Sequence, residues 1–233
     1  METPDRNSLA EGFVWRGLYR IAGYASLTMV AFIPIQIAVF VIWPLPDTVV
    51  GWFDLFQSNK IIGLLDMDFL LMVDQIFVGL ILVALYAALR QTSLSMITVS
   101  LMLGLSGMVI YFASTVAFEM LFLSGRYAAA TSAAEKDGLL AVGQVLLARW
   151  QGTAFNFSYI MEGISFLIIG LVMLRSSVFS NLTAWFGIAL GVLSLVPPTV
   201  PVVGMYFAFL SLVPLVVWDV LIARRFFRLA KET

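Results

Sequence analysis

The sequence predicts an all-α fold: a polytopic transmembrane helical bundle of six spans, forming a single integral membrane domain over residues 1–233. Composition, hydropathy and the length of the apolar runs support this prediction. Of the 233 residues, 61% are hydrophobic and 12% are charged, and a soluble domain carries roughly twice that charged fraction. The mean hydropathy is +1.00. Several apolar runs reach the length of about 20 residues that a helix needs to cross a bilayer.

Prolines and arginines mark where the predicted spans end. Pro44 stops the first span because proline cannot continue a helix, and Arg90 and Arg175 end the second and fourth spans. The last apolar stretch is too long for one crossing, and its segment "LVPPTVPVVG" predicts a turn that divides it. The six spans cover about residues 18–43, 61–89, 94–123, 155–174, 182–196 and 203–223.

Two segments between the spans contain too few apolar residues to cross a membrane. The stretch "TVVGWFDLFQSNK", residues 48–60, combines aromatic and charged side chains, which is typical of an interfacial segment. Between spans 3 and 4, Ser132 lies three residues before Glu135, the spacing of a capping box at a helix start. The apolar residues that follow on one helical face are Leu139, Val142, Leu146 and Trp150. We expect a short amphipathic helix on the membrane surface, with a lid as the alternative.

The basic residues indicate how the bundle is oriented, because lysine and arginine favour the cytoplasmic side. With the N-terminus inside, nine of them fall on the inner side: Arg6, Arg16, Arg20, Arg90, Arg175, Arg224, Arg225, Arg228 and Lys231. The outer side holds four: Lys60, Arg126, Lys136 and Arg149. The first 20 residues are too polar and acidic for a signal peptide, so the first apolar run is interpreted as a retained span. We expect a multi-pass membrane protein with both termini in the cytoplasm.

Two absent residue types limit the possible chemistry. The chain has no cysteine and no histidine, which excludes disulfides, thiolate and His-ligated metal sites, and a Ser-His-Asp triad. No cofactor is expected, because there is no glycine-rich phosphate loop and no lysine inside a predicted span to carry a retinal. The net charge of −1 argues against a nucleic-acid partner.

The segment "LLDMDFLLMVDQIF", residues 64–77, places three aspartates in the second predicted span. If the span is one helix, Asp74 lies roughly 20 Å from its start at Ile61, within an apolar core about 30 Å thick. Asp74 then projects some 80° from Asp66, and Asp68 points almost opposite to Asp66, at about 100° per residue. Asp66 and Asp74 can share a cavity wall, whereas Asp68 needs a separate partner. A charge at mid-span costs about 2.5–3.5 kcal/mol, so it usually faces the bundle interior.

Two glutamates join this acidic set. Glu162 lies about 10 Å inside the fourth span by the helical rise, and Glu119 lies near the outer end of the third. Together with Asp66 and Asp74, they predict an outward-facing cavity that binds a proton, an inorganic cation or a small cationic solute. The structural alternative pairs Asp66 or Glu119 with the basic residues at 60 and 126, and leaves a protonated Asp74 hydrogen-bonded to a neighbouring helix.

The inner ends of the spans carry a second group of charges. Asp219, near the end of the sixth span, is expected to form structural ion pairs with Arg175 and Arg90 at the same membrane level. The C-terminal "ARRFFRLAKET" alternates basic and aromatic residues, which is typical of an anchor to the inner lipid leaflet. Membrane lipids are therefore the expected partners of this end.

Two pairs of small residues indicate close helix packing. Small residues four positions apart let helices approach closely in lipid. The pairs are Ser100 with Gly104 in the third span and Gly187 with Gly191 in the fifth. We expect them to pack within the bundle rather than between copies, and the oligomeric state stays open.

The second half of the chain carries several sequence blocks in order. They include "GTAFNFSYI" at the start of the fourth span, "VMLRSSVFS" at its end, the proline-rich turn and the closing "WDVLIARRFFRLA". In this order they resemble the prokaryotic membrane-protein family catalogued as domain of unknown function 4386, over about residues 60–230. The resemblance implies a several-span inner-membrane protein of a bacterium or archaeon, with a short surface helix before the fourth span. It implies no catalytic or binding residue.

These observations leave three functions open. The first is transport or a channel-like function, with Asp74 and Glu162 as proton or cation sites. Transporters often contain internal repeats and broken helices, and the sequence shows no convincing repeat and no break inside a span. The second is a lipid-binding or hydrophobic-ligand sensory module, because 11 methionines and 19 phenylalanines suit an adaptable apolar lining. An intramembrane enzyme using Asp74 and Glu162 as acid and base is the least favoured, without histidine, cysteine or a metal cluster.

Overall fold

The computed structural model describes the backbone of residues 6–232 and the side chains of residues 15–232. Within that range every regular element is a helix, which confirms the all-α prediction. The helices are α1 Arg6–Ile42, α2 Val49–Ser58, α3 Lys60–Asp66, α4 Phe69–Leu89, α5 Leu94–Ser114, α6 Ala117–Ala129, α7 Ala133–Trp150, α8 Thr153–Met173, α9 Asn181–Leu193 and α10 Gly204–Glu232. The predicted cytoplasmic N-terminus at residues 1–5 lies outside the described range.

Five stretches of the described chain are long and apolar enough to cross a membrane. They are Trp15–Ile42, Phe69–Leu89, Leu94–Ala129, Ala133–Met173 and Gly204–Glu232. Several long apolar helices of this kind mark a membrane-embedded protein. The predicted fifth span coincides with α9, whose 13 residues rise about 20 Å, less than the thickness of an apolar bilayer core.

The second and third predicted spans are interrupted, and the prediction of two continuous helices was wrong. α3 ends at Asp66 and α4 begins at Phe69, because Asp68 adopts a left-handed backbone with a φ of 66°, which an α-helix cannot continue through. α5 ends at Ser114 and α6 begins at Ala117. Two hydroxyl side chains at that break donate to carbonyls three residues earlier and so compete with the helical hydrogen bonds.

The break before α4 changes the predicted positions of the aspartates. Asp74 is the sixth residue of α4 and lies about 8 Å from the start of that helix by the helical rise. The sequence had predicted a depth of roughly 20 Å from Ile61 on the same rise. The angle predicted between Asp66 and Asp74 required one continuous helix, so it no longer applies.

The described chain divides into two compact units. Unit 1 comprises the described parts of Met1–Ala31, Gln75–Val109 and Ser158–Thr233, and unit 2 comprises Phe32–Asp74 and Ile110–Phe157. In unit 1, apolar side chains of α1, α4, α5, α8, α9 and α10 form one core. Aromatic pairs lie inside it: Phe166 meets Trp218 edge to face, with ring centroids 5.5 Å apart. A second core belongs to unit 2 alone.

The core of unit 2 is built around α2, the segment predicted to be interfacial. Thr48 caps its N-terminus by accepting a hydrogen bond from the backbone of residue 51 at 3.1 Å. Trp52, Phe53 and Phe56 are almost completely buried and pack with apolar residues of α3, α6 and α7. Ser124 of α6 donates to the carbonyl of Phe53 at 3.0 Å. These rings therefore lie in a protein core and not in the lipid interface that the sequence predicted.

α7 occupies the segment in which the sequence predicted a short amphipathic surface helix. Its buried residues are Leu139, Gly143 and Trp150, whereas Val142, predicted on the same face, is 49% exposed. Gly143 lacks a side chain and lets Val49 of α2 approach its backbone. Because this close approach turns the buried face toward Gly143, Val142 lies outside that face, and the prediction for Val142 was wrong.

The start of α7 confirms the predicted cap and gives a first testable result. Ser132 Oγ accepts the backbone N–H of Glu135 at 3.2 Å. Ser132→Ala is expected to lower the free energy of unfolding by about 1 kcal/mol, because one backbone donor of the first turn loses its partner. Ser132→Asp can still cap the helix and serves as the control. Thermal unfolding in detergent tests this, and an unchanged Ser132→Ala variant would show that the cap contributes nothing.

Small residues bring helices together inside unit 1, as their spacing predicted. The hydroxyls of Ser100 and Ser165 lie 2.9 Å apart, and each also donates to the other residue's carbonyl, joining α5 to α8. On α9, a methyl group at Gly191 would lie 2.5 Å from the backbone nitrogen of Leu167 in α8. A methyl group at Gly187 would meet the indole of α10 at 2.8 Å. Both predicted pairs therefore contact neighbouring helices of the same chain.

Candidate functional site

Glu162 lies near the middle of α8, in unit 1. Its Oε2 accepts a hydrogen bond from Gln75 Nε2 of α4 at 3.2 Å. Its Oε1 is buried and accepts no hydrogen bond from the described residues, and the same is true of the Gln75 Oε1. Glu162 forms no ion pair with a described residue, unlike Glu232, which pairs with Arg225. Glu162 is therefore paired with a neutral amide and not with a cation.

Further polar groups surround Glu162. A methyl group at Gly107 of α5 would lie 2.9 Å from Glu162 Cγ, so the missing side chain at 107 provides the space that the glutamate occupies. One turn before Glu162, the hydroxyl of Tyr159 hydrogen-bonds with the side chains of Ser194 and Ser211. The resulting polar cluster, called the Glu162 cluster below, consists of Gln75, Tyr159, Glu162, Ser194 and Ser211.

Asp74, which the sequence placed with Glu162, belongs to unit 2. It is half-buried on α4, and its Oδ1 accepts no hydrogen bond from the residues that the structure describes. It directly precedes Gln75, the residue that binds Glu162. Asp74 is thus a half-buried acid near the start of α4, and the residue after it belongs to the Glu162 cluster.

Asp66 is the last residue of α3, outside the candidate spans. None of its surface is exposed, and neither carboxylate oxygen accepts a hydrogen bond from the described residues. The predicted alternative, an ion pair with Lys60 or Arg126, does not form. Burial raises the pKa of Asp66 to about 6, and the carbonyls at the end of a helix also disfavour a negative charge. Asp66 therefore exchanges its proton close to neutral pH.

Asp68 has the separate partner that the sequence required. In the turn between α3 and α4, its Oδ2 accepts the indole N–H of Trp150 at 2.6 Å. Trp150 in turn meets Trp52 edge to face, with ring centroids 5.5 Å apart. Burial raises the pKa of Asp68 to about 7, and the hydrogen bond from Trp150 acts in the opposite direction. Asp68 joins the α3–α4 turn to the end of α7, and the contact lies within unit 2.

Glu119 lies apart from the buried acids. It is exposed in the first turn of α6 and lines a groove of about 430 Å³ together with Arg149 of α7. This groove carries one acidic and one basic side chain, whereas the sequence predicted an acidic cavity. The groove is a second candidate site, within unit 2.

The residues predicted to form ion pairs at the inner ends lie in unit 1. Asp219 is buried on α10, Arg175 is exposed after the end of α8, and the guanidinium of Arg90 stacks over an indole ring at 5.4 Å. The ion pair between Arg225 and Glu232, at 2.9 Å, was not predicted. Arg225 also donates to the backbone carbonyl of Val178 at 2.6 Å, which joins α10 to the loop before α9.

The hydrogen-bond partners of Glu162 and Asp68 were not predicted from the sequence. Gln75 lies 87 residues from Glu162, and Trp150 lies 82 residues from Asp68, so no local pattern connects them. Trp150 was assigned only to an apolar helix face. The sequence could have indicated a partner for Gln75 only through its residue type, because a polar amide within a span usually hydrogen-bonds to a neighbouring helix.

No family model, no curated protein and no solved structure matches the chain.

Proposed function

We propose that this membrane protein binds a proton at Glu162 and moves it through the membrane-spanning region, in a channel-like or transport function. The observation that carries the proposal is the hydrogen bond of 3.2 Å between Glu162 and Gln75, inside two candidate spans. A carboxylate inside a span is costly unless it is paired with a cation or protonated. Its partner here is a neutral amide, so protonation is the way in which Glu162 removes that cost.

The groups around Glu162 suit a proton better than a metal ion. A protonated carboxyl can donate a hydrogen bond, and the Gln75 Oε1 is a buried acceptor without a partner in the described chain. Calcium takes six to eight oxygen ligands, and no group of three or more acidic residues gathers among the described residues. These features support a proton, or a small monovalent cation, as the occupant.

The interrupted helices also support a transport function. Transporters often bind their ions where a membrane helix is broken, at the ends of the two half-helices. The sequence had given no sign of such a break, and in the described chain two of the predicted spans are broken, between α3 and α4 and between α5 and α6. Asp66 ends one of these helices, and its pKa of about 6 lets it take up and release a proton near neutral pH.

The proposal keeps the topology expected from the sequence. α9 forms the fifth of six crossings, α7 lies at the membrane surface, and both termini face the cytoplasm of a prokaryotic inner membrane. The supporting observation is the distribution of lysine and arginine, nine on the inner side and four on the outer. Epitope tags placed before Arg6 and after Lys231 test it, and tags accessible from outside intact cells would contradict it.

Glu162→Gln is expected to lower proton flux on the order of tenfold or more, the usual effect of removing a positioned proton-transfer group. Glutamine keeps the shape of the side chain and can still hydrogen-bond to Gln75, but it does not exchange a proton. The full chain is reconstituted into liposomes that contain a pH-sensitive dye. A potassium diffusion potential then drives protons, and the initial rate of pH change is measured for each variant.

Asp54→Asn, an exposed carboxylate on α2, is the matched control and is expected to keep the wild-type flux. Thermal unfolding of each variant shows whether it is folded. Two results would contradict the proposal: wild-type liposomes no faster than empty ones, or a Glu162→Gln variant as fast as the wild type.

Binding of a lipid is the second candidate function. One observation favours it: the groove at Arg149 exposes phenylalanine rings beside its charges. This groove is independent of the Glu162 cluster, since all of its lining residues belong to unit 2.

A further inference from the structure

The groove at the break between α5 and α6 combines three kinds of side chain. It has a volume of about 430 Å³, within the range of about 300–1,000 Å³ typical of small-molecule sites. One basic residue, one acidic residue and three aromatic rings line it: Arg149, Glu119, Phe112, Phe118 and Phe122. A ligand that fits this lining has to offer polar and apolar parts at once.

Hydrogen bonds at the end of α5 fix the position of the basic group. Ser114 and Thr115 donate to carbonyls of the last turn of α5, at 2.7 and 2.9 Å. Arg149 Nη2 donates to the next carbonyl, that of Ala113, at 2.7 Å. A guanidinium carries five N–H donors, so this single bond holds Arg149 in place and leaves further donors for an anion.

Glu119 and Arg149 line the same groove without forming an ion pair. Neither of them forms a salt bridge with another described residue, unlike Arg225 and Glu232. Glu119 is exposed and accepts no hydrogen bond from a described side chain. Two opposite charges that face one groove separately are complementary to a ligand that carries both an anionic and a cationic group.

Two of the aromatic rings remain open to the surroundings. Phe118 is 54% exposed and Phe122 is 65% exposed. They lie four residues apart on α6, so they share one face of that helix. Large apolar side chains beside charged groups are typical of segments that lie at the boundary between lipid headgroups and acyl chains.

We propose that this groove binds one phospholipid with a zwitterionic amine headgroup, a phosphatidylethanolamine. The lipid phosphate accepts hydrogen bonds from the guanidinium of Arg149, and the lipid ammonium pairs with the carboxylate of Glu119. The acyl chains lie along Phe118 and Phe122. An anionic phospholipid such as phosphatidylglycerol offers the same phosphate and chains but no cation for Glu119, so the headgroup charge decides which lipid binds.

Native mass spectrometry of the detergent-purified full chain tests this assignment. The protein is mixed with equal amounts of phosphatidylethanolamine and phosphatidylglycerol that carry the same acyl chains. The wild type is expected to retain the ethanolamine lipid about fivefold more than the glycerol lipid, the ratio that one partly exposed ion pair provides. Glu119→Gln is expected to reduce this ratio to about one, and Arg149→Gln to lower the retention of both lipids.

Matched controls separate the groove from the rest of the surface. Asp137→Asn on α7 and Arg126→Gln on α6 remove exposed charges that do not line the groove, and both are expected to keep the wild-type ratio. If Arg149→Gln fails to fold, Glu119→Gln alone still tests the headgroup preference, because Glu119 is exposed and makes no contact in the core. A wild type that retains both lipids equally, or a preference that survives Glu119→Gln, would overturn the proposal.

Discussion

Gly191→Ala is expected to destabilise the protein by about 3 kcal/mol, at the upper end of the usual cost of overpacking. The added methyl group would lie 2.5 Å from the backbone nitrogen of Leu167 and 2.9 Å from the backbone oxygen of Gly163. Backbone atoms cannot rotate away as a flexible side chain can, so α8 and α9 have to separate along their contact. Thermal unfolding of the purified protein in detergent measures the loss.

Gly138→Ala is the matched control for this substitution, with an effect of opposite sign. Gly138 is exposed inside α7, and a methyl group there meets nothing within 4 Å. Alanine is favoured over glycine in a helix by about 1 kcal/mol, so this variant is expected to be more stable than the wild type. If Gly191→Ala is as stable as the wild type, the close contact between α8 and α9 does not exist as described.

Asp68→Asn is expected to stabilise the protein at pH 8 by up to about 4 kcal/mol and to change little at pH 4. Burial raises the pKa of Asp68 from 3.8 to about 7. Between these two values the folded protein keeps a proton that the unfolded chain has already released, so stability falls as the pH rises through this window. Above about pH 7 Asp68 is ionised in both the folded and the unfolded protein, so the loss of stability that it causes no longer changes with pH.

Asparagine suits this position because it tolerates the left-handed backbone and its amide oxygen can still accept the N–H of Trp150. The measurement is the midpoint of thermal unfolding, Tm, from pH 4 to pH 9. Asp54→Asn on α2 is the control and is expected to follow the wild-type curve. Burial also raises the pKa of Asp66, to about 6, so the stability of both proteins falls as the pH rises toward that value. The Asp68→Asn curve is therefore flatter than the wild-type curve but still falls with pH. A variant curve parallel to that of the wild type would show that Asp68 does not titrate in this window.

The sequence predicted the type and order of the helices well, and their continuity less well. Hydropathy and prolines located the long apolar stretches, and the spacing of Ser132 and Glu135 located the start of α7. Apolar composition alone, however, does not distinguish one helix of 29 residues from two shorter helices separated by a turn. The break at Asp68 was missed for this reason.

The candidate site was predicted in part. Glu162, Asp74 and Asp66 were identified as buried acids because charged residues are rare in apolar segments. The predicted grouping of Asp66 with Asp74 was wrong, because it required one continuous helix and the two residues lie on separate helices. Glu119 was identified as a binding residue, but its groove partner Arg149 was counted only as a charge that sets the orientation.

The sequence by itself determined that this protein is a helical membrane protein with buried carboxylates, because hydropathy, helix period and capping are local properties that add along the chain. The tertiary structure alone decided what those carboxylates contact. The bonds from Gln75 to Glu162 and from Trp150 to Asp68 join residues 87 and 82 positions apart, and the approach of α8 to α9 depends on glycines in two helices at once. Such contacts depend on how separate helices pack, and no local pattern of residues contains that information.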